Sequence, residues 1–216
     1  MLKGLMFWRN KKKVNQISGQ LFKEEVLNVI THLISVFLFS FLSGMFLLST
    51  GFKFFNIIFC LAIVNTYSCS VLYHYFEKPA IKEKLRILDH TAISLLIAGS
   101  YTPYMILTQN YILLSIVWTL TITSIFEMLY FWQVNKYILI KYLIMGWMAM
   151  FSIKSLFLVL PFWSFALFIL GGLSYTIGTY FFKRDQERYY YHTIWHIFVT
   201  IGTLLHLISV WIATIN

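Results

Sequence analysis

The sequence predicts an all-α membrane protein, a seven-transmembrane helix bundle with a cytoplasmic N-terminus and its C-terminus outside. Three observations predict it. The 216 residues are 59% hydrophobic and only 12% charged, about half the charged fraction usual for a soluble domain. Apolar runs of about 20 residues, the length a bilayer requires, fill nearly everything after Glu25. The basic residues gather beside alternate breaks between those runs, the pattern that sets topology in a membrane.

The elements follow in order. Residues 1–27 read as a basic cytoplasmic segment and 28–216 as one transmembrane domain. Span one covers 28–49 and stops at Thr50-Gly51; span two covers 54–76 and is followed by the charged stretch Glu77 to Arg86. Span three, 88–107, ends in Gly99-Ser100-Tyr101-Thr102-Pro103-Tyr104, where Pro103 predicts a kink or an exit from the helix. Thr108-Gln109-Asn110 precedes span four, 111–131, and Gln133 to Lys136 precedes span five, 137–153. Span six, 156–181, is divided from span five only by Lys154 and Ser155. One helix across both would be far longer than a single crossing at about 1.5 Å per residue, so two are expected. The loop Phe182 to Tyr190 leads to span seven, 191–214. Gly99, Gly146, Gly171 and Gly172 are expected to permit close helix contacts.

Charge sets the orientation. With the N-terminus inside, fifteen of the 17 Lys and Arg residues fall on the cytoplasmic side, and only Lys53 and Lys154 fall outside. The net charge of +9 is therefore assigned to topology and to anionic lipid rather than to nucleic acid, since no soluble basic domain exists to carry one. Cys60 and Cys69 share one helix about 13 Å apart, too far for a disulfide. No secretory signal peptide is visible, because Lys11-Lys12-Lys13 is followed by polar residues; span one is expected to act as its own insertion signal. The chain is expected in a plasma membrane that it crosses several times, with membrane lipids as partners and no nucleic acid.

Ionisable residues inside spans are costly and mark functional sites. His74 ends span two, Asp89 begins span three, and His192 and His196 open span seven, all at the cytoplasmic level. His192 and His196 are one helical turn apart on one face. His74, His192 and His196 match the three neutral imidazoles of a catalytic zinc site that keeps one position open. Ser70, one turn from His74, and Asp89 are the candidate catalytic residues, with Asp89 holding water or acting as general base. For any one histidine, a place at the lipid headgroups is the alternative; convergence from separate spans favours the site. Glu25, Asn28 and His32 form a polar stripe on span one that points inward beside it. His90, about 100° round the helix from Asp89, reads as an interfacial neighbour. His206, about 15 Å deeper than His196, reads as a buried hydrogen-bonding residue, and Glu127 as one that snorkels to the interface.

EEVLNVITH (24–32), SVLYH (70–74), LRILDHTAISLLIAGSYTPYMI (85–106), GGLSYTIGTYFF (171–182) and YHTIWHIFVTIGTLLH (191–206) together resemble the haemolysin III family, the bacterial members of the progestin and adiponectin receptor superfamily. The resemblance spans nearly the whole membrane region in the same order. It implies a seven-helix bundle with a cytoplasmic N-terminus and Zn²⁺ near the inner leaflet, held by His74, His192 and His196, with Ser70 and Asp89 at the family's remaining positions. Likeness to a wider group of membrane hydrolases that includes alkaline ceramidases implies hydrolysis of a lipid amide or ester. The alternatives are a pore-forming, haemolysin-like protein and a zinc-containing regulator of membrane lipid state without turnover.

Overall fold

The computed structural model describes residues 14–135 and 137–215, and they form helices joined by short turns. The expected cytoplasmic charges Lys3, Arg9, Lys11, Lys12, Lys13 and Lys136 lie outside the described residues. The helices are α1 (Phe22–Thr50), α2 (Phe54–Tyr75), α3 (Pro79–Leu107), α4 (Tyr111–Phe131), α5 (Ile138–Trp147), α6 (Ile153–Val159), α7 (Phe162–Lys183) and α8 (Tyr191–Thr214). A 3₁₀ turn, Met148–Ser152, joins α5 to α6, so these two make one pass. Among the described residues, six helical segments are long and apolar enough to cross a bilayer: α1, α2, α4, α5–α6, α7 and α8. The third expected span lies within α3, a 29-residue helix whose first half carries Lys82, Glu83, Lys84, Arg86 and Asp89.

Three expectations change. The boundary between spans five and six is not at Lys154-Ser155. Both residues lie inside α6, and the chain turns at Leu160-Pro161 instead. Pro161 takes the N-cap position of α7, where its missing N–H and fixed φ suit a helix start. Pro103 does not end α3; the helix runs on to Leu107 with Pro103 inside it. The first helix begins at Phe22, six residues earlier than expected, so part of the basic segment is the start of the bundle.

Packing explains which faces are polar. α7 packs along α8, α2 along α3, α3 along α4, and α1 along both α2 and α8, whereas α5 meets α3 and α7 at only a few places. Phe39, Phe46, Phe59, Ile63, Tyr67, Leu207 and Val210 close the centre. Phe37, Phe41, Ile112, Phe126, Phe151 and Phe162 point outward. An apolar exterior around a partly polar interior is the arrangement a lipid solvent demands, since backbone groups are satisfied within helices. Of the four expected contact glycines, two fulfil that role. A Cβ on Gly99 would lie 2.5 Å from Ala62 Cβ, and one on Gly171 would collide with the His206 ring. Gly146 and Gly172 face open space. Both line a cavity left where α5 stands away from α3 and α7.

Candidate metal centre

At the end of the bundle where α2 finishes and α3 and α8 begin, two helices, α2 and α8, deliver His74, His192 and His196 to one point. Each offers a ligand atom, and these atoms lie within 4.8 Å of one another. The ring centroids stand 5.1 Å (His74–His192), 5.0 Å (His74–His196) and 4.7 Å (His192–His196) apart. All three residues are buried.

What holds each ring decides which nitrogen is available. His74 Nδ1 donates to Glu25 Oε2 at 2.7 Å, and His192 Nδ1 donates to Asp185 Oδ2 at 2.7 Å. A carboxylate can only accept, so in each neutral ring the proton sits on Nδ1 and the lone pair on Nε2. The His196 case follows from Thr31. The Thr31 hydroxyl proton goes to the Asn28 carbonyl at 3.0 Å, which leaves Oγ1 to accept from His196 Nδ1 at 3.3 Å. All three rings thus carry their lone pair on Nε2, with the opposite nitrogen anchored, the arrangement that orients histidine toward a metal. His74 Nε2 is buried with no hydrogen-bond partner. An orphaned acceptor surrounded by two more imidazoles fits a divalent cation, and the three histidines can hold one.

A second layer braces the first. Glu25 accepts from His74, from the Ser18 hydroxyl and from Lys82 Nζ at 3.0 Å. Lys82 is fully buried, donates to the Tyr73 carbonyl at 2.9 Å and lies 4.5 Å above the Tyr73 ring. Asn28 Nδ2 donates to Gln20, and Asn28 Oδ1 accepts from the Thr193 hydroxyl at 2.5 Å. Residues 14–21 form a strap across this end of the bundle, tied to the turn before α8 by Gln186 Nε2 donating to the Ser18 carbonyl at 2.9 Å.

The remaining sequence candidates fall as follows. Asp89 and Ser70 are both buried and line the same cavity as His192 and His196. His32 is 4% exposed and stacks on His196 at 3.6 Å with 11° between the rings; neither of its nitrogens has a partner. The α1 stripe therefore does face the site. His90 is not an interfacial neighbour, because it lines the cavity and its ring meets Phe182. His206 is buried, with Nε2 donating to the Phe168 carbonyl at 3.1 Å. Glu127 pairs with Lys141 and accepts from Asn135, away from the site. Sequence reasoning missed Asp185 altogether and counted Lys82 only as loop charge. Asp185 lies in the turn before α8, outside any helix, where helical spacing to His192 carries no signal.

From the histidines a cavity of about 480 Å³ runs between α3, α5, α7 and α8. Asp89, His32 and His192 stand at its head, and Leu96, Ile97, Phe168 and Ile169 line its body. This is a polar head on an apolar slot, shaped for an amphiphile.

The family model described as "Haemolysin-III related" matches residues 20–207. The chain is 35% identical to "Hemolysin-3 homolog" of Bacillus subtilis (strain 168) over 195 residues, covering 84% of this chain and 90% of that one. It is 33% identical over 203 residues to "Hemolysin-3" of Bacillus cereus, covering 86% and 90%. "Monocyte to macrophage differentiation factor" of Homo sapiens is 28% identical over 156 residues, 70% of this chain and 64% of that protein. The chain is a multi-pass integral protein of the bacterial plasma membrane and belongs to the haemolysin III family, within the broader progestin and adiponectin receptor superfamily.

Proposed function

We propose that this protein is a zinc-dependent hydrolase of a lipid amide or ester, working at the level of the inner leaflet. In this reading α3 is the third of seven passes, the N-terminus is cytoplasmic and the C-terminus is outside. Among the described residues, Lys23, Lys78, Lys82, Lys84, Arg86, Lys141, Lys183, Arg184 and Arg188 gather at the metal-centre end, and Lys53 and Lys154 lie at the other. One observation carries the chemistry: three buried imidazoles, each with a ligand nitrogen within 4.8 Å of the others, stand beside a buried carboxylate at the head of an apolar cavity.

The roles divide by position. His74, His192 and His196 would hold Zn²⁺, which supplies Lewis acidity that polarises a carbonyl and acidifies water. Asp89 receives a proton from the attacking water and passes it to the leaving amine or alcohol. The Ser70 hydroxyl, one turn from His74 and lining the cavity, offers a donor to the developing oxyanion. Tyr67 and Tyr175 both hydrogen-bond Thr203, at 2.7 and 2.8 Å, beneath His32 and shield the site from the bundle's far end. The apolar walls hold the acyl chain and exclude bulk water.

The test is zinc content together with hydrolysis of a ceramide and phospholipid panel. Wild type is expected to hold zinc and release fatty acid, His192→Ala to lose both, and Asp89→Asn to keep zinc while slowing turnover about 10²–10⁴-fold. Zinc-loaded wild type that hydrolyses nothing, with His192→Ala indistinguishable from it, overturns the reading.

A further inference from the structure

The cavity carries a second set of polar groups that the metal centre does not use. Arg86 and His90 are four residues apart on α3 and so project from one face, a turn apart. Both line the cavity. Arg86 is half-buried, and its Nε is enclosed with no hydrogen-bond partner; His90 Nδ1 is enclosed and unpartnered as well. Tyr142 Oη donates to the His90 carbonyl at 2.6 Å and pins this turn of α3 against α5.

No carboxylate among the described residues pairs with Arg86. Glu25 is taken by His74 and Lys82, and Asp185 by His192. A guanidinium drawn partly out of water with no counter-ion is unfavourable unless an anion joins it. Its planar fork matches an oxyanion through paired N–H donors, and the neighbouring imidazole adds another. Beyond the pair the walls turn apolar at Ile93, Ile97, Leu139 and Leu143. An occupant must therefore present an anion at Arg86 and hydrocarbon along α3 and α5.

We infer that Arg86 and His90 form an oxyanion subsite for the phosphate of an anionic lipid. This subsite would select phosphate-bearing lipids over uncharged ones for the metal centre. The inference rests on the proposed use of the cavity for lipid, and it is tested by binding alone, so that absence of turnover sinks the hydrolase and leaves this question to its own experiment.

Trp147 and Trp195 line the same cavity, so intrinsic fluorescence of the full-length, zinc-loaded protein in uncharged detergent reports occupancy. The probes are dioctanoyl phosphatidate, dioctanoylglycerol and inorganic phosphate. Wild type is expected to bind the phosphatidate at least about tenfold tighter than the diacylglycerol, and Arg86→Gln to erase that preference without weakening the diacylglycerol. Arg86→Lys should restore part of it, and Lys84→Gln, at an exposed site on the same helix, should change nothing. Competition by inorganic phosphate would assign the subsite to the phosphate group itself; preference without such competition would assign it to phosphate presented by a lipid. Equal binding of the two lipids by wild type, or equal loss for both in Arg86→Gln, overturns the inference. If Arg86→Gln fails to hold zinc, His90→Gln and Arg86→Lys decide. A preference reduced about threefold or more in both supports the subsite, and an unchanged preference in both overturns it.

Discussion

His196 and His206 both lie on α8 and both are buried, yet they sit in opposite kinds of surroundings. His196 has a hydroxyl behind it, another histidine stacked on it, and two imidazoles converging in front. His206 spends one nitrogen on the Phe168 carbonyl and is walled by Phe168 at 5.6 Å, Tyr175 at 5.4 Å and Tyr104 at 6.0 Å between centroids. Burial and residue type are the same at both places. The difference is what other helices place behind and in front of the ring. A carboxylate or hydroxyl behind fixes the tautomer, and convergence in front creates a site; an aromatic box does neither.

Mutating each region in turn should make this contrast measurable. The largest effect is expected at the centre: His74→Ala should reduce bound zinc from stoichiometric to trace amounts, whereas His206→Asn should leave zinc content unchanged. Elemental analysis of the purified proteins decides it, and equal zinc loss in the two variants would erase the distinction drawn between them. An intermediate effect is expected behind the ring. Glu25→Gln should weaken zinc about 10–100-fold in chelator competition and cost about 3–5 kcal/mol of stability, because Lys82 is left charged, buried and unpaired. Adding Lys82→Met should recover much of the stability while zinc affinity stays low. Recovery of both together would mean that Glu25 acts only through folding. The smallest effects compare adjacent glycines. Gly171→Ala forces a methyl into the His206 ring and should cost about 1–3 kcal/mol in thermal unfolding, with zinc retained. Gly172→Ala projects into open space and should stay within about 0.5 kcal/mol of wild type.

Much of the centre was legible because helical rise converts sequence position into depth. Once the spans are counted, His74, Asp89, His192 and His196 must share a level, and Ser70 must lie one turn from His74. The α1 stripe was legible for the same reason, since Glu25, Asn28 and His32 repeat at helical spacing. The bracing residues were not. Asp185 sits in an irregular turn and Lys82 at the charged start of α3, where no period relates them to the residues they touch. The strap of residues 14–21 was hidden in a segment read as basic tail, although Ser18 and Gln20 are buried against α1. The boundary between α6 and α7 was misplaced because Lys154 and Ser155 are the more polar pair. A side-chain charge can reach the interface from inside a helix, but Pro161 cannot supply the backbone N–H that continuation requires.

Composition alone therefore determined that this chain dissolves in a bilayer, and periodicity alone determined which ionisable residues reach one depth. Those conclusions need only the length and pitch of a helix. The tertiary structure alone decided that His74 presents Nε2 rather than Nδ1, because the proton is fixed by Glu25, 49 residues away on another helix. It alone decided that α5 stands apart from α3 and α7 to leave a cavity, and that Arg86 faces that cavity without a counter-ion. Both depend on how helices meet, and a one-dimensional pattern of polarity does not record which faces end up touching.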